Sequence, residues 1–318
     1  MSLRSISLEA ALRRISLAAA SGLLAAVSFA IPLAAQKTTD PRQRVERRFA
    51  VASDASIRLF GAFSKLRIIG WDRDSLVITG TMGKGWRLEG NAASSAFGAP
   101  RAAKFFVEPP TETADVSGAA LEVRVPAKAR VWAKSGSADI EVTGVTGGLD
   151  LNIVGGSITI SSTPRELNIE SMDGNVKVLA GAPWMRVKTA TGEIDVRGGG
   201  EDVGLSSVGG TVRVSGGRYE RGKFETVTGD IVYEADLGFK GSIDLTTHSG
   251  RVELRVPPQP NLELDATTVT GTIENSVTSR RPLLGREGRG MELAFSTGTG
   301  DTRVVVRSFK GNVVLRPR

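Results

Sequence analysis

Between Asp173 and Gly210 the chain repeats one short pattern three times at 18-residue intervals. The copies are Asp173-Gly174-Asn175-Val176-Lys177-Val178, Thr191-Gly192-Glu193-Ile194-Asp195-Val196 and Gly209-Gly210-Thr211-Val212-Arg213-Val214. In each, a turn glycine precedes a segment whose apolar residues alternate with polar ones, the period of a strand with one buried face. A strand directly behind the glycine argues against a phosphate cradle, which needs a helix N-terminus at that point.

The period extends well beyond these copies. Turn glycines align at Gly136, Gly156, Gly174, Gly192, Gly210, Gly229, Gly250, Gly271 and, after one long step, Gly311. Ahead of each next glycine lies a second alternating segment: Leu149-Asp150-Leu151, Leu167-Asn168-Ile169, Met185-Arg186-Val187, Val203-Gly204-Leu205, Phe224-Glu225-Thr226, Ile243-Asp244-Leu245 and Leu262-Glu263-Leu264. Two short strands and two turns in about 20 residues make one rung of a stack, with rungs ~4.8 Å apart. The expected fold is all-β, a β-solenoid of right-handed β-helix type with two short strands per rung and no helix of ordinary length. The 38 glycines and the 5% aromatic content suit thin strands joined by many tight turns.

Residues 1–35 read as a secretory signal peptide: Arg4, Arg13 and Arg14 precede an apolar run from Ile15 to Ile31, and Leu33-Ala34-Ala35 offers a cleavage point before Gln36. Export follows, to the periplasm, the envelope or the exterior, with no stable membrane span after cleavage. Residues 36–48 read as a flexible lead-in and 49–318 as a single domain. Within it, 49–134 forms irregular first rungs with an aperiodic loop insertion at 82–104. Residues 135–318 form regular rungs interrupted by a basic loop at 278–290. Leu66-Arg67-Ile68 and Leu76-Val77-Ile78 read as a hairpin-like pair, Gly311-Asn312-Val313-Val314-Leu315 as the closing rung, and Arg316-Pro317-Arg318 as its charged cap.

Without cysteine, disulfides, zinc-thiolate sites and cysteine nucleophiles are excluded. The one histidine, His248, sits at a turn and reads as solvated. No cofactor or metal site is expected: the Asp residues beside turn glycines, Asp173, Asp230 and Asp301, do not follow the calcium-binding nonapeptide and are ordinary turn chemistry. Removing residues 1–35 leaves 38 basic and 33 acidic side chains, a surplus of +5. That surplus suits anionic envelope polymers and is too diffuse for nucleic acid.

Outward positions of a stack form columns. Lys177, Asp195 and Arg213 alternate in sign along one column, as a structural charge ladder does. A second column is expected to run Asn152 and Asn168, Arg186 and Gly204, then Glu225, Asp244 and Glu263. The two asparagines suit a shared amide ladder. The three carboxylates form the binding candidate, an acidic stripe able to hold a cation or to act on glycosidic bonds.

Ile69-Gly70-Trp71-Asp72-Arg73-Asp74-Ser75-Leu76-Val77-Ile78, followed by serial Thr-Gly-Asp/Glu-Ile and Gly-Gly-Thr-Val turns, resembles the bacterial putative adhesin family of exported β-solenoid domains. The resemblance spans roughly residues 45 to 316 and implies a fold without assigning functional residues. The leading expectation is a non-catalytic scaffold or adhesin-like binding module of the cell envelope, with envelope polysaccharide or another surface protein as partner. The alternatives are a β-helix carbohydrate-active enzyme, a lyase or hydrolase using Glu225, Asp244 and Glu263, and a periplasmic sensor or assembly partner.

Overall fold

A computed structural model describes residues 42–93, 98–110, 118–285 and 288–318. The expected signal peptide and residues 36–41 lie outside the described residues. Every regular element among the described residues is a strand.

The strands form two long ladders in which the alternating apolar residues line up side by side. In the first, Ile57, Val131, Leu149, Leu167, Met185, Val203, Gly222, Ile243, Val304 and Leu264 share one row of parallel partners. In the second the row is Leu66, Ile140, Ile158, Val176, Ile194, Val212, Ile231, Val252, Val313 and Ile273. These side chains are buried and belong to one continuous core, each fully buried Leu, Ile or Val contributing ~1.5–3 kcal/mol. The ladders meet in that core: Phe224 of the first and Tyr233 of the second have ring centroids 5.6 Å apart. Gly222 sits in the row without a side chain because the Phe224 ring fills the space.

The chain passes between the ladders through a recurring corner, Ser/Thr-x-x-Gly. The corners are Ser171 to Gly174, Thr189 to Gly192, Ser207 to Gly210, Thr226 to Gly229, Thr247 to Gly250, Thr268 to Gly271 and Ser308 to Gly311. The buried hydroxyl accepts the glycine N–H three residues on, at 2.9 Å in Ser207–Gly210 and 3.0 Å in Thr247–Gly250. Hydroxyls also bond between neighbouring corners, Thr189 to Ser207 and Thr226 to Thr247, each at 2.9 Å. From Gly192 onwards each glycine backs against the carbonyl of a neighbouring glycine, and a β-carbon would overlap that oxygen. Gly136 does not belong to this column: it lies two residues early, and Ala138 is the residue in register with Gly156.

The order at both ends departs from the chain order. Ser56–Gly61 and Phe63–Trp71 lie between the strands of 102–126 and those of Arg130–Thr143. At the other end Thr302–Ser308 lies between Ile231–Thr247 and Leu262–Thr268, and Val313–Pro317 between Val252–Val256 and Ile273–Asn275. The rung expected to close the stack is therefore the penultimate one. Edge protection there comes from Met291–Thr297, antiparallel on Leu262–Thr268, followed by the two-residue strand Leu283–Leu284. The C-terminal tail is no cap, because Arg318 donates to Ala235 O and Asp236 Oδ1 of an interior strand.

Three further expectations are corrected. The lead-in is ordered from Gln43, where Gln43–Ala50 pairs antiparallel with Ser75–Met82 and buries Val45 against the core. Phe63–Trp71 and Ser75–Met82 form no direct pair, since Ala119–Pro126 lies between them, parallel to one and antiparallel to the other. The aperiodic stretch at 82–104 contains the strand Arg87–Ala92, hairpinned onto Ala102–Glu108, and Trp86 is buried there. Gly and Asn in that strand hid its pattern.

Candidate functional site

Alternation that fills the core also decides what faces outwards. On the first ladder the outward residues include four partly exposed aromatics. Phe60 lies in register with Phe106 and stacks on it, centroids 5.1 Å apart, and Trp132 meets Phe60 edge-on at 4.5 Å. Lys104 Nζ lies 4.6 Å from the centre of the Phe106 ring and 5.3 Å from that of Phe60. Three rungs beyond Trp132, Trp184 is 38% exposed, with the Arg186 guanidinium 4.8 Å over its ring.

Between the two tryptophans lies a depression of about 590 Å³, bordered by Arg58, Arg130, Asp150, Glu166 and Asn168. It exists because Gly148 stands in the outward row between Arg130 and Glu166, which bond across the gap at 2.8 Å. Aromatic faces beside paired charges and an amide present both flat apolar surface and hydrogen-bonding groups, the composition that holds a polar ligand with apolar faces.

Further along the same face a second cleft of about 360 Å³ opens over Gly204. Arg186 closes one side through Asp202, at 2.6 Å. Lys223 closes the other through Glu225, at 2.8 Å, and the hydrogen bond from this carboxylate holds the Lys223 ammonium above its ordinary value. The Lys223–Glu225 pair is exposed and the Arg186–Asp202 pair half-buried, so solvent screens the first more than the second, and both shape the cleft.

The acidic stripe is absent. Glu225 lies in register with Ser206 and Thr246, Asp244 with Lys223 and Val305, and Glu263 with Arg303. The three carboxylates occupy three different columns. One cause is the pair of register shifts at Ser215/Arg218 and Tyr219/Arg221, whose net effect moves Glu225 two places relative to Asp244. The other is the strand Thr302–Ser308, which separates the rung of Asp244 from that of Glu263. Glu225 is paired with Lys223, and Asp244 bonds Arg307 at 3.2 Å and accepts from Thr246 at 2.7 Å. The expected asparagine ladder also fails by two residues: Asn152 is opposite Glu170, to which it donates at 3.1 Å, and Asn168 is opposite Asp150. Among the described residues no three His, Asp or Glu side chains converge in a way that could hold a metal ion.

Lys177, Asp195 and Arg213 do share a column. The carboxylate there bonds within its own strand, to Arg197 at 3.2 Å. His248 is exposed at its corner and stacks on Phe309, centroids 5.0 Å apart.

Sequence reasoning passed over the aromatics, although Phe105-Phe106 carried a signal: adjacent residues of a strand face opposite ways, so one of the two had to point outwards. It also passed over the corner residue after each Ser or Thr. Met172, Val208, Val227, Phe309 and Val269 there, with Val154 at the equivalent place one rung earlier, are all at least 40% exposed, and Ala190 and His248 interrupt their line along the corner.

The family model described as Toastrack DUF4097 matches residues 120–316. Among solved structures, a putative lipid binding protein from Parabacteroides distasonis is 12% identical with a TM-score of 0.46, the match covering 85% of this chain and 96% of that one. A putative adhesin from Parabacteroides merdae is 11% identical with a TM-score of 0.42, covering 87% and 96%. A putative adhesin from Bacteroides fragilis is 12% identical with a TM-score of 0.40, covering 87% and 97%. No curated protein matches the chain.

Proposed function

The chain belongs to the Toastrack DUF4097 family, and from that premise we propose that it is an exported, non-catalytic β-solenoid that binds an acidic polysaccharide of the cell envelope. It works in an adhesin-like manner, through the outer face of its first ladder. Parallel registers that step by 18 to 21 residues support the solenoid, with the right-handed winding that parallel crossovers take. Export rests on the basic and apolar pattern of residues 1–35.

The observation that carries the reading is the set of outward aromatics: Phe60, Trp132 and Trp184 line a glycine-floored depression, and Phe106 stacks on Phe60 beside it. Rings seated on a rigid ladder offer flat apolar area at little entropic cost, which suits the C–H faces of pyranose rings. The chain beside them is basic: Arg58 is in register with Lys104 on one side and Trp132 on the other, and Lys134 is in register with Phe60. Cations at rung spacing favour a uronate or other acidic sugar over a neutral one. The enzymatic alternative has lost its premise with the acidic stripe.

The test is affinity electrophoresis of the chain through polygalacturonate and through a neutral glucan. Retardation is expected in the acidic polymer alone. Trp132→Ala with Trp184→Ala should weaken it about tenfold or more, ~1.4 kcal/mol, with the fold intact by circular dichroism. Free migration of the wild type through acidic polymers, or undiminished retardation of the folded double variant, would overturn the reading.

A further inference from the structure

A hairpin at the C-terminal end of the stack carries two adjacent leucines that the core does not use. Leu283 and Leu284 form a two-residue strand against Glu292 and Met291, and each is 71% exposed. Consecutive residues of a strand face opposite ways, so a strand lying on a core would bury one of them. Here both are bare, and this part of the hairpin stands clear of the core. Beyond them Gly285 N–H donates to Gly290 O at 3.2 Å and Gly288 N–H to Gly285 O at 2.8 Å.

Exposed cations flank the leucines on both sides: Arg280 and Arg281 before them, Arg289 after. Among the described residues none of these three has an ion-pair partner, whereas Arg186, Arg255 and Arg307 on the ladder faces are each paired. The hairpin also lies beside the apolar corner. Met291 is opposite Thr268 and Leu284 opposite Met291, while Gly290 backs onto the carbonyls of Thr268 and Val269, next to the exposed Val269 and Phe309 of that corner.

We propose that this end of the molecule seats on an anionic lipid surface, with Leu283 and Leu284 entering the headgroup boundary and Arg280, Arg281 and Arg289 lying against lipid phosphates. Both leucines are bare on a two-residue edge strand, which suits insertion into a deformable apolar phase. Unneutralised arginines next to it supply the charge complementarity that apolar insertion alone lacks, and their long stems let the guanidinium reach the phosphate layer while the leucines sit deeper. The polysaccharide face and this tip use different residues, so either can fail without the other.

The chain has no cysteine, so a single environment-sensitive fluorophore placed through Leu284→Cys in the full chain reads the tip alone. A second labelled chain, Asn91→Cys, reads the exposed hairpin Arg87–Ala92 at the opposite end. Vesicles of phosphatidylglycerol with phosphatidylcholine should brighten and blue-shift the probe at 284, phosphatidylcholine alone should not, and the probe at 91 should be silent. Raising ionic strength, Arg280→Ala with Arg281→Ala, or Leu283→Asp should each diminish the response. The proposal is overturned if the probe at 284 ignores anionic vesicles, responds equally to neutral ones or is matched by the probe at 91. It is also overturned if the signal changes with protein concentration in the absence of lipid, which would assign the leucines to a second copy of the chain.

Discussion

Gly210 sits directly against the carbonyl oxygen of Gly192, closely enough that a β-carbon on Gly210 would overlap it. The approach is set by rung spacing: parallel strands ~4.8 Å apart leave no room for a side chain pointing along the stack axis. Gly192, Gly229 and Gly250 make the same approach to Gly174, Gly210 and Gly229. The glycine column is thus a consequence of stacking.

The neighbouring Gly209 separates this steric need from mere turn preference. A β-carbon there would have its closest neighbours at 3.8 Å, ordinary van der Waals contact. Gly210→Ala is expected to cost ~3 kcal/mol or more through overpacking. Gly209→Ala should be neutral or stabilise by up to ~1 kcal/mol, because it restricts the unfolded chain. Urea denaturation of the two variants beside the wild type measures both.

The buried hydroxyls at the corners give a second test. Thr226 bonds Gly229 O at 2.6 Å and Thr247 at 2.9 Å, while Thr247 accepts from the Gly250 N–H at 3.0 Å. Thr247→Val keeps the shape and leaves that buried N–H without its acceptor, a loss of ~1–3 kcal/mol. Thr228, exposed and bonded only to Val208 O at 3.3 Å, is the control: Thr228→Val should shift stability by no more than ~0.5 kcal/mol. Chemical denaturation midpoints check the pair.

The contrast between two columns shows what could be read from the sequence. Lys177, Asp195 and Arg213 align as the 18-residue spacing requires, because those rungs are equal in length and any offset is inherited unchanged. Past Gly210 the rungs lengthen through Gly216 and Gly217, both at positive φ, and the register shifts on either side of Tyr219. Glu225, Asp244 and Glu263 then look aligned in the text and lie apart in space. A further loss comes from pairing between segments remote in sequence: nothing in residues 302–317 signals that they precede 262–275 in the stack. The all-β class survives both effects because alternation is local.

Acid should act on the second ladder through Glu253. Its carboxylate accepts from Arg255 at 2.8 Å, and that hydrogen bond holds Glu253 below its ordinary value of 4.5, with Arg251 and Arg316 adding to the effect. A carboxyl lowered on folding contributes stability that is present above the unfolded value and lost as pH falls through the folded one. Glu253→Gln should therefore lower the melting temperature at neutral pH and converge with wild type by about pH 2. Arg255→Met should converge in the same way. Scanning calorimetry across that range decides it, and a gap of constant size down to the lowest pH would mean that the pair does not titrate with folding.

The displaced rung predicts an unusual pattern of backbone protection. Chain ends normally fray, yet Val304 and Val306 have a parallel partner on each side, in Ile243 and Leu245 and again in Leu264 and Ala266. Val313 and Leu315 likewise lie between Val252 and Leu254 on one side and Ile273 and Asn275 on the other. Opening this segment means separating it from both neighbours at once and exposing side chains that are now fully buried, so it cannot peel away alone. In hydrogen exchange the amides of 304–306 and 313–315 should fall in the slowest class, with those of Val176 and Ile194 in the middle of the stack. The amides of Leu283 and Leu284, on a two-residue edge strand, should exchange orders of magnitude sooner. Rapid exchange across 302–317 would instead place that segment at an open end and refute the order of the last two rungs.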